Sequence, residues 1–471
     1  RNVYREAELY KAAVRVYTKP LFHWRKALHI SVDGKTLYDL ASRGLRGLDG
    51  IHRLLAAEKF QFRPSIGLKY NFNGKRRTLY IPPWEERIVD LLLYRVLNRR
   101  LHAWFSARSF AYRDRTYGLD NCQLQIARLL RSPREPLYLV KRDITDFFGS
   151  IDHEILLEQI AQHVESDDYL FHLLRQRIQF VHLDEMGTHQ ARVGVPFGCA
   201  SACVFANIYL TRVDHAIAGI PEVHYFRYAD DLLLLSRDRS CALQARKQTT
   251  RILHELRLET KPSHEADLRL SVDQVEDPQF KSVGEFRHLG LNFHAGGAVS
   301  LSRDKRRKIQ NLFCFAFRRK RRSWMKISNP RERARTLAAI AAETLNAGVR
   351  NVAIIDYYLK HVTDALQWRE LDRWLAEEVL SLVFGGHKKS HFAKISFEEL
   401  RALGLPSLVH RQRLIFHGHA QTPFFLWQQQ KAIRAFRGTV ASPVGVADAH
   451  RVSLRTQKQQ PMMPVREGGC L

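Results

Sequence analysis

Cysteine is scarce and scattered in this chain. The six (Cys122, Cys199, Cys203, Cys241, Cys314 and Cys470) form no C-x-x-C pair, which argues against a disulfide framework and against a zinc module. Long apolar runs are missing too. The longest candidates, residues 91–93 and 232–235, fall far short of the roughly 18–20 residues of a membrane span, so no membrane partner is expected. No signal-peptide pattern opens the sequence, and an intracellular, cytoplasmic location is expected. No repeat recurs at solenoid or propeller spacing. Acid is in short supply, with 48 Asp plus Glu against 75 Lys plus Arg and a formal net charge of +27. An excess of that size favours a polyanionic partner, nucleic acid or an anionic surface. Hydrophobic residues at 45% and charged residues at 26% belong to a folded chain, and 471 residues suggest roughly two to four domains or subdomains.

The order along the chain is mixed α and β, then nearly all α. Helical periodicity near residues 37–55 gives way over 68–81 to short alternating runs around Asn73-Gly74, the strongest short hairpin signal. Residues 88–101, 152–164 and 202–217 read as helices, 137–141 as a buried strand running into Asp143, and 223–236 as two apolar strands about a tight turn. From Ser302 to about Val383 the pattern is helical. Residues 440–471, with Pro443, Pro461, Pro464 and Gly468-Gly469, read as a loose tail.

Two segments carry the chemistry. In the first, a strand ends at Asp143 and leads through Ile144-Thr145-Asp146 to Phe147-Phe148; in the second, Tyr228-Ala229-Asp230-Asp231 sits between apolar strands. Adjacent carboxylates beside buried strands are costly unless a cation neutralises them. In so basic a chain that cation could be Arg or Lys, and an isolated Asp-Asp turn also fits a solvated hairpin tip. Three aspartates at strand ends are equally the arrangement that holds two divalent ions. Carboxylate oxygens suit Mg²⁺, and a pair of such ions can activate an attacking hydroxyl and stabilise leaving pyrophosphate.

At these residues the chain resembles the bacterial reverse transcriptases of the group II intron-like kind. Asp143-Ile144 with Phe147-Phe148 and Ile151-Asp152-His153 is similar to the first palm motif, and Tyr228-Ala229-Asp230-Asp231 to the Y-x-D-D box. Gly194-Val195-Pro196-Phe197-Gly198 followed by Ala206-Asn207-Ile208-Tyr209-Leu210 resembles the block between them. Upstream, the run from Arg77 to Pro82 and Ser109-Phe110-Ala111-Tyr112-Arg113 resemble two fingers motifs. Downstream, residues 256–261 and 286–290 resemble the motif-lysine segment and the primer-grip turn. The resemblance implies an α+β right-hand polymerase fold: fingers, a palm with an antiparallel sheet, a helical thumb and a helical C-terminal extension. The expected divisions are 1–60 (N-terminal extension), 61–295 (fingers and palm), 296–383 (thumb), 384–439 (helical extension) and 440–471 (flexible tail).

The resemblance also implies roles. Asp143, Asp230 and Asp231 would hold two Mg²⁺ ions, or Mn²⁺ in their place, with the Ile144 carbonyl as auxiliary ligand. Arg77 and Arg113 would grip the incoming triphosphate, a guanidinium fork being well shaped for it; ordinary surface charge is the plainer reading of both. Lys261 would protonate leaving pyrophosphate, unless it is simply a solvated lysine. Phe148 stands at the steric-gate position, where a bulky ring collides with a ribose 2′-OH and so selects deoxynucleotides; Phe147 is free to fill the core instead. Where the family carries Gln, this chain has Phe197, beside the incoming nucleotide, and discrimination there is expected to differ. Cys199 and Cys203 at i,i+4 read as packing residues.

Residues 303–326 hold eleven Lys or Arg against one acid, Asp304. Phe313 and Phe317 mark the buried stripe of that helix. Arg306, Arg307, Arg318, Arg319, Arg321 and Arg322 are expected to track the phosphates of a template–primer duplex. Beyond about residue 330 no motif with a chemistry is evident, and His387, His391, His410, His417 and His419 read as scattered polar residues rather than a metal site. The expected function is an RNA-directed DNA polymerase that adds dNTPs to a primer on an RNA template and yields a DNA product. Paired cysteines of an intron endonuclease, retron signatures and the diversity-generating motif are all missing, so the chain looks most like the unknown-group, defence-associated reverse transcriptases, some of which copy a partner non-coding RNA in antiphage defence. A maturase-like RNA-binding protein and an RNA-synthesising polymerase are the alternatives; the oligomeric state is not readable.

Overall fold

The computed structural model describes residues 5–416 except 19–29, 32, 43, 73–74, 132–135, 274 and 347–350. The Asn73-Gly74 turn, His417, His419, Cys470, residues 417–439 of the expected extension and the 440–471 tail therefore lie outside the described residues.

Three sheets are built in succession. β1 (Ser65–Phe72) and β2 (Lys75–Ile81) pair antiparallel from Phe72↔Lys75 to Ile66↔Ile81, as the alternation over 68–81 implies. The second sheet draws on β3 (Ser109–Phe110) and β4 (Leu137–Asp143). β5 (Val181–Asp184) and β6 (Gly187–Gln190) complete the first, in the order β2-β1-β5-β6. β7 (Val223–Tyr228), β8 (Asp231–Ser236), β9 (Ala266–Leu270) and β10 (Lys281–Val283) complete the palm sheet, in the order β10-β9-β4-β8-β7-β3. β11 (Glu285–His288), β12 (Leu291–His294) and β13 (Val299–Leu301) make a small antiparallel sheet. The palm sheet is mixed rather than purely antiparallel. Its centre, β9-β4-β8-β7, is antiparallel, but β10 and β3 join parallel to their neighbours. β3 arrives from a distant segment, and β10 follows β9 through the connection 271–280 rather than a tight hairpin turn.

Both faces of the palm sheet are buried, which is why Leu232–Leu235 read as one continuous apolar run rather than an alternation. Successive side chains point to opposite faces. Val140, Leu232 and Leu234 enter one core with Ile208, Leu210 and Leu253 of the helices Ala200–Ala218 and Arg239–Glu255. Leu137, Leu139, Leu233 and Leu235 enter a second core with Ile126, Phe293, Leu301, Phe313 and Trp368. Each fully buried Leu contributes roughly 1.5–3 kcal/mol, so the hairpin is held from both sides.

The helical end follows β13 with Arg303–Arg319, Arg321–Trp324, Pro330–Asn346, Asn351–His361, Ala365–Phe384, Phe397–Ala402 and Leu408–Phe416. Ile309, Phe313 and Phe317 form the buried stripe of the first. The end is tied back to the palm: Lys360 Nζ donates to Asp120 Oδ2 at 2.7 Å, and Leu301 N to Gln367 Oε1 at 2.8 Å. His361 also bonds Asp120, and the Tyr357 hydroxyl bonds Gln123 Oε1. The fold is thus α+β, a mixed-sheet core flanked by helices with a helical C-terminal extension. Among the described residues, no helix is long and apolar enough to cross a membrane.

Candidate active site

The β7–β8 hairpin and the end of β4 bring the three aspartates to one edge of the palm. In register, Asp143 lies opposite Asp231, and Tyr228 opposite Asp231 on the other side. Asp230 sits in the two-residue turn between them. Ala229 takes φ 56°, a left-handed conformation costing an L-residue roughly 1–2 kcal/mol. Three contacts hold it there: Ala229 N donates to Phe110 O (3.4 Å), Ile144 N to Asp230 O (3.4 Å) and Arg227 Nη1 to Ala229 O (3.2 Å).

Arg227 is anchored in turn. It is fully buried, donating to Asp214 Oδ1 (2.7 Å) and Oδ2 (2.6 Å), to Asn207 Oδ1 (3.1 Å) and to Ser109 Oγ (2.6 Å). Tyr225 OH adds a bond to Asp214 Oδ1 at 2.9 Å. Ser109 and Asn207 lie within motifs that the sequence shows, but neither they nor Arg227 are given a role from it. The available signal was an arginine flanked by apolar strand residues next to the carboxylates.

Two of the three aspartates, Asp230 and Asp231, are poorly compensated. Burial pushes the Asp231 carboxyl up to about 7, with Lys141 opposing and Asp143 and Asp230 adding to the rise. Burial and the charge of Asp143 likewise raise Asp230, against Lys261 and Arg77. Asp231 Oδ1 is buried with no hydrogen-bond partner among the described residues; Lys141 Nζ stands 3.9 Å from Oδ2. Asp143 Oδ2 meets Lys261 Nζ at 2.9 Å and His264 Nδ1 at 2.8 Å, and Lys261 Nζ also donates to the Ile144 carbonyl at 2.9 Å. Lys261, Asp143 and the Ile144 carbonyl are therefore together. His264 and Lys141 are neighbours that the sequence reading left unassigned.

This donor set tests whether a divalent cation suits the site. Among the described residues no cluster of three or more His, Cys, Asp or Glu is drawn together as for a metal ion. Yet the oxygens of Asp143 and Ile144 already hold a cation, the Lys261 ammonium, and Asp231 keeps an unused buried oxygen. Hard oxygen donors and an orphaned carboxylate oxygen fit Mg²⁺ or Mn²⁺.

Beside the aspartates an aromatic wall forms. Phe147 is buried in the core at 2% exposure, which leaves Phe148 half-buried on the wall, edge-on to Phe197 at 5.2 Å and to Tyr112 at 6.2 Å. Gly194 makes this possible. At φ +81° its missing Cβ would meet Gly149 O at 2.9 Å and Phe148 O at 3.0 Å, so Val195 N can bond Phe148 O at 2.8 Å. Gly198, at φ +101°, lies against Leu79 while Tyr80 N bonds Phe197 O at 2.9 Å. Arg77 stacks over the Phe197 ring at 5.3 Å and is exposed. Arg113 is placed differently: its guanidinium donates to the carbonyls of Ser106 (2.7 Å), Ser109 (3.2 Å) and His102 (3.1 Å) and lies 3.6 Å over the Tyr117 ring. It braces its own loop.

Cys199 and Cys203 are both buried, and Arg177 donates to Cys199 Sγ. Arg177 also bonds Asp90 Oδ1 at 2.8 Å, while Asp90 Oδ2 accepts from Ala200 N (2.6 Å) and Ser201 N (3.2 Å), capping the helix Ala200–Ala218 from across the fold. On the first C-terminal helix, Arg306 pairs with Glu370 at 2.8 Å. Arg307, Arg318, Arg319, Arg321 and Arg322 are exposed. Arg318 Nε and Arg321 Nε reach Cys314 O and Met325 Sδ of their own segment.

Residues 69–289 match the family described as reverse transcriptase (RNA-dependent DNA polymerase). Protein YkfC of Escherichia coli K12 is 22% identical over 241 residues, 44% of this chain and 60% of that protein. An uncharacterized 91 kDa protein in the cob intron of Schizosaccharomyces pombe is 24% identical over 174 residues, 37% and 21% of the two chains. The retron Ec83 reverse transcriptase of Escherichia coli is 24% identical over 223 residues, 46% and 64%. The chain thus spans less than two thirds of the length of each. A reverse-transcriptase-like domain is therefore present, distantly related to a retron reverse transcriptase and to an intron-associated protein.

Proposed function

We propose that the chain is an RNA-directed DNA polymerase. The observation that carries the reading is the pairing of Asp143 with Asp231 in register, with Asp230 in the turn between β7 and β8, inside a reverse-transcriptase domain. Asp143, Asp230 and Asp231 would hold two divalent cations, Mg²⁺ or Mn²⁺, with the Ile144 carbonyl as a further oxygen donor. Such ions supply charge neutralisation for the attacking hydroxyl and the leaving pyrophosphate. The chain's own residues do the rest. Lys261, released from Asp143, is the proton donor to the leaving group. Phe148, fixed by Phe147 behind it and by the Gly194 loop, excludes a ribose 2′-OH. Arg77 and Phe197 line the triphosphate side. The arginines of residues 303–326 bind the phosphates of the template–primer duplex, an interaction that weakens steeply with salt. A partner non-coding RNA, in an antiphage setting, is the proposed template.

Two measurements on wild type and Asp230→Ala/Asp231→Ala test this together: primer extension on a defined RNA template, and sequencing of the nucleic acid that copurifies. Mg²⁺-dependent extension with dNTPs by wild type alone, with one discrete RNA bound to both proteins, is expected. Extension with ribonucleotides in preference to dNTPs would move the assignment to an RNA-synthesising polymerase. A discrete RNA with no extension by either protein would move it to a maturase-like RNA-binding protein. Extension without any discrete RNA would remove the dedicated template and leave a general polymerase.

A further inference from the structure

β11 turns two side chains inward, Phe286 and His288, and its outward residues Glu285 and Arg287 are exposed. Phe286 packs in the second core. His288 is 0% exposed, and neither ring nitrogen has a hydrogen-bond partner among the described residues. An imidazole buried this way loses its hydration without replacing it, a cost of about 1–3 kcal/mol per unsatisfied group. An apolar side chain would avoid that cost, so an imidazole here calls for a reason other than packing.

The Asp231 carboxylate supplies one. His288 Nδ1 lies 3.5 Å from Asp231 Oδ2, and Oδ1 of the same carboxylate is the buried oxygen without a partner. The backbone on either side of His288 is pinned to the palm. Lys141 Nζ donates to Arg287 O at 3.3 Å, and Gln123 Nε2 to Leu289 O at 3.0 Å. The ring is therefore held at a fixed place behind the carboxylate, a few tenths of an ångström short of a formed N–H···O bond.

We propose that His288 is a positioning residue for Asp231: its Nδ1–H orients the carboxylate from behind so that the free oxygen faces the cation. This rests on the polymerase reading above and extends it to a residue outside the aspartate motifs. Partners of this kind, one shell out from a metal ligand, typically change metal affinity by about 10–100-fold when removed.

The test uses the full chain bound to an RNA template, a dideoxy-terminated primer and the matching dNTP, titrated with Mn²⁺ and followed by electron paramagnetic resonance. His288→Leu should weaken Mn²⁺ binding by about 10–100-fold, while His288→Asn, which keeps a donor, should recover most of it. His288→Leu should also lower kcat far more than it raises KM for dNTP. His288→Leu is expected to melt at or above the wild-type temperature in either case, so melting only confirms that the variant folds; a histidine without the positioning role gives a His288→Leu variant that binds Mn²⁺ and turns over as wild type does. That result overturns the inference and leaves the polymerase reading standing, as does a His288→Asn variant no better than His288→Leu. A wild-type complex that takes up no Mn²⁺ beyond that bound by free nucleotide overturns both.

Discussion

Asp214 and Asp231 are recessed carboxylates served by the same hairpin, and they are treated in opposite ways. Asp214 accepts two bonds from Arg227 and one from Tyr225, and both partners of the ion pair are fully buried. Asp231 has Lys141 at 3.9 Å, a buried imidazole at 3.5 Å and one oxygen with no partner among the described residues. Asp90, satisfied by Arg177 and the start of the helix Ala200–Ala218, belongs with Asp214. The difference separates scaffold from site. Where buried charge is fully matched, it fixes one backbone arrangement; where it is left short, the proposed function assigns the deficit to a ligand.

The largest effect that would sharpen this contrast is on activity. Asp230→Asn with Asp231→Asn should reduce primer extension by at least about 10³-fold and leave the melting temperature unchanged or higher, because it removes two carboxylates that burial already disfavours. Extension assays and calorimetry on the same preparation check both halves. Loss of stability instead would mean these aspartates are structural.

Breaking the matched pair should do the reverse. Arg227→Met strands Asp214 and should cost about 3–5 kcal/mol in denaturant unfolding, much of it recovered in Arg227→Met with Asp214→Leu. Because Arg227 also holds Ala229 O, the double variant should stay folded yet extend primers poorly. Full activity in it would show that the turn does not need that contact.

A smaller effect belongs to the wall beside the aspartates. Phe148→Ala should cut discrimination between dNTP and NTP by roughly 10–200-fold, the range for a steric difference of a few atoms, read from competing incorporation. Unchanged discrimination would return Phe148 to the core and shift attention to Tyr112 and Phe197.

The smallest concerns the junction of palm and helical end. Lys360 and His361 bonded to Asp120 hold its partly exposed carboxyl low, at about 2, against the burial that opposes them. A lowered folded value means stability that is present above the ordinary carboxylate range near 4 and lost as pH falls toward 2. Asp120→Asn should therefore melt slightly below wild type at pH 7 and no differently near pH 2. A gap that persists at pH 2 would assign the effect to packing.

The positions of Asp143, Asp230 and Asp231, the strands that carry them and the stripe through Phe313 and Phe317 were legible in the sequence. Each is a local pattern: alternation, helical spacing, or a turn between apolar runs. The same locality made Phe147 and Phe148 separable into one core ring and one wall ring. Arg113 shows the limit, for the spacing that marks it says nothing of the three carbonyls that engage it. Likewise Lys261 lies 118 residues from Asp143, His288 57 from Asp231 and Asp90 87 from Arg177. Which of this chain's many charges would meet, and which would be left wanting, was decided only when burial brought distant segments into a medium where an unpaired charge is expensive. The sequence by itself determined the kind of chemistry and the strands that bear it; tertiary structure decided the partners.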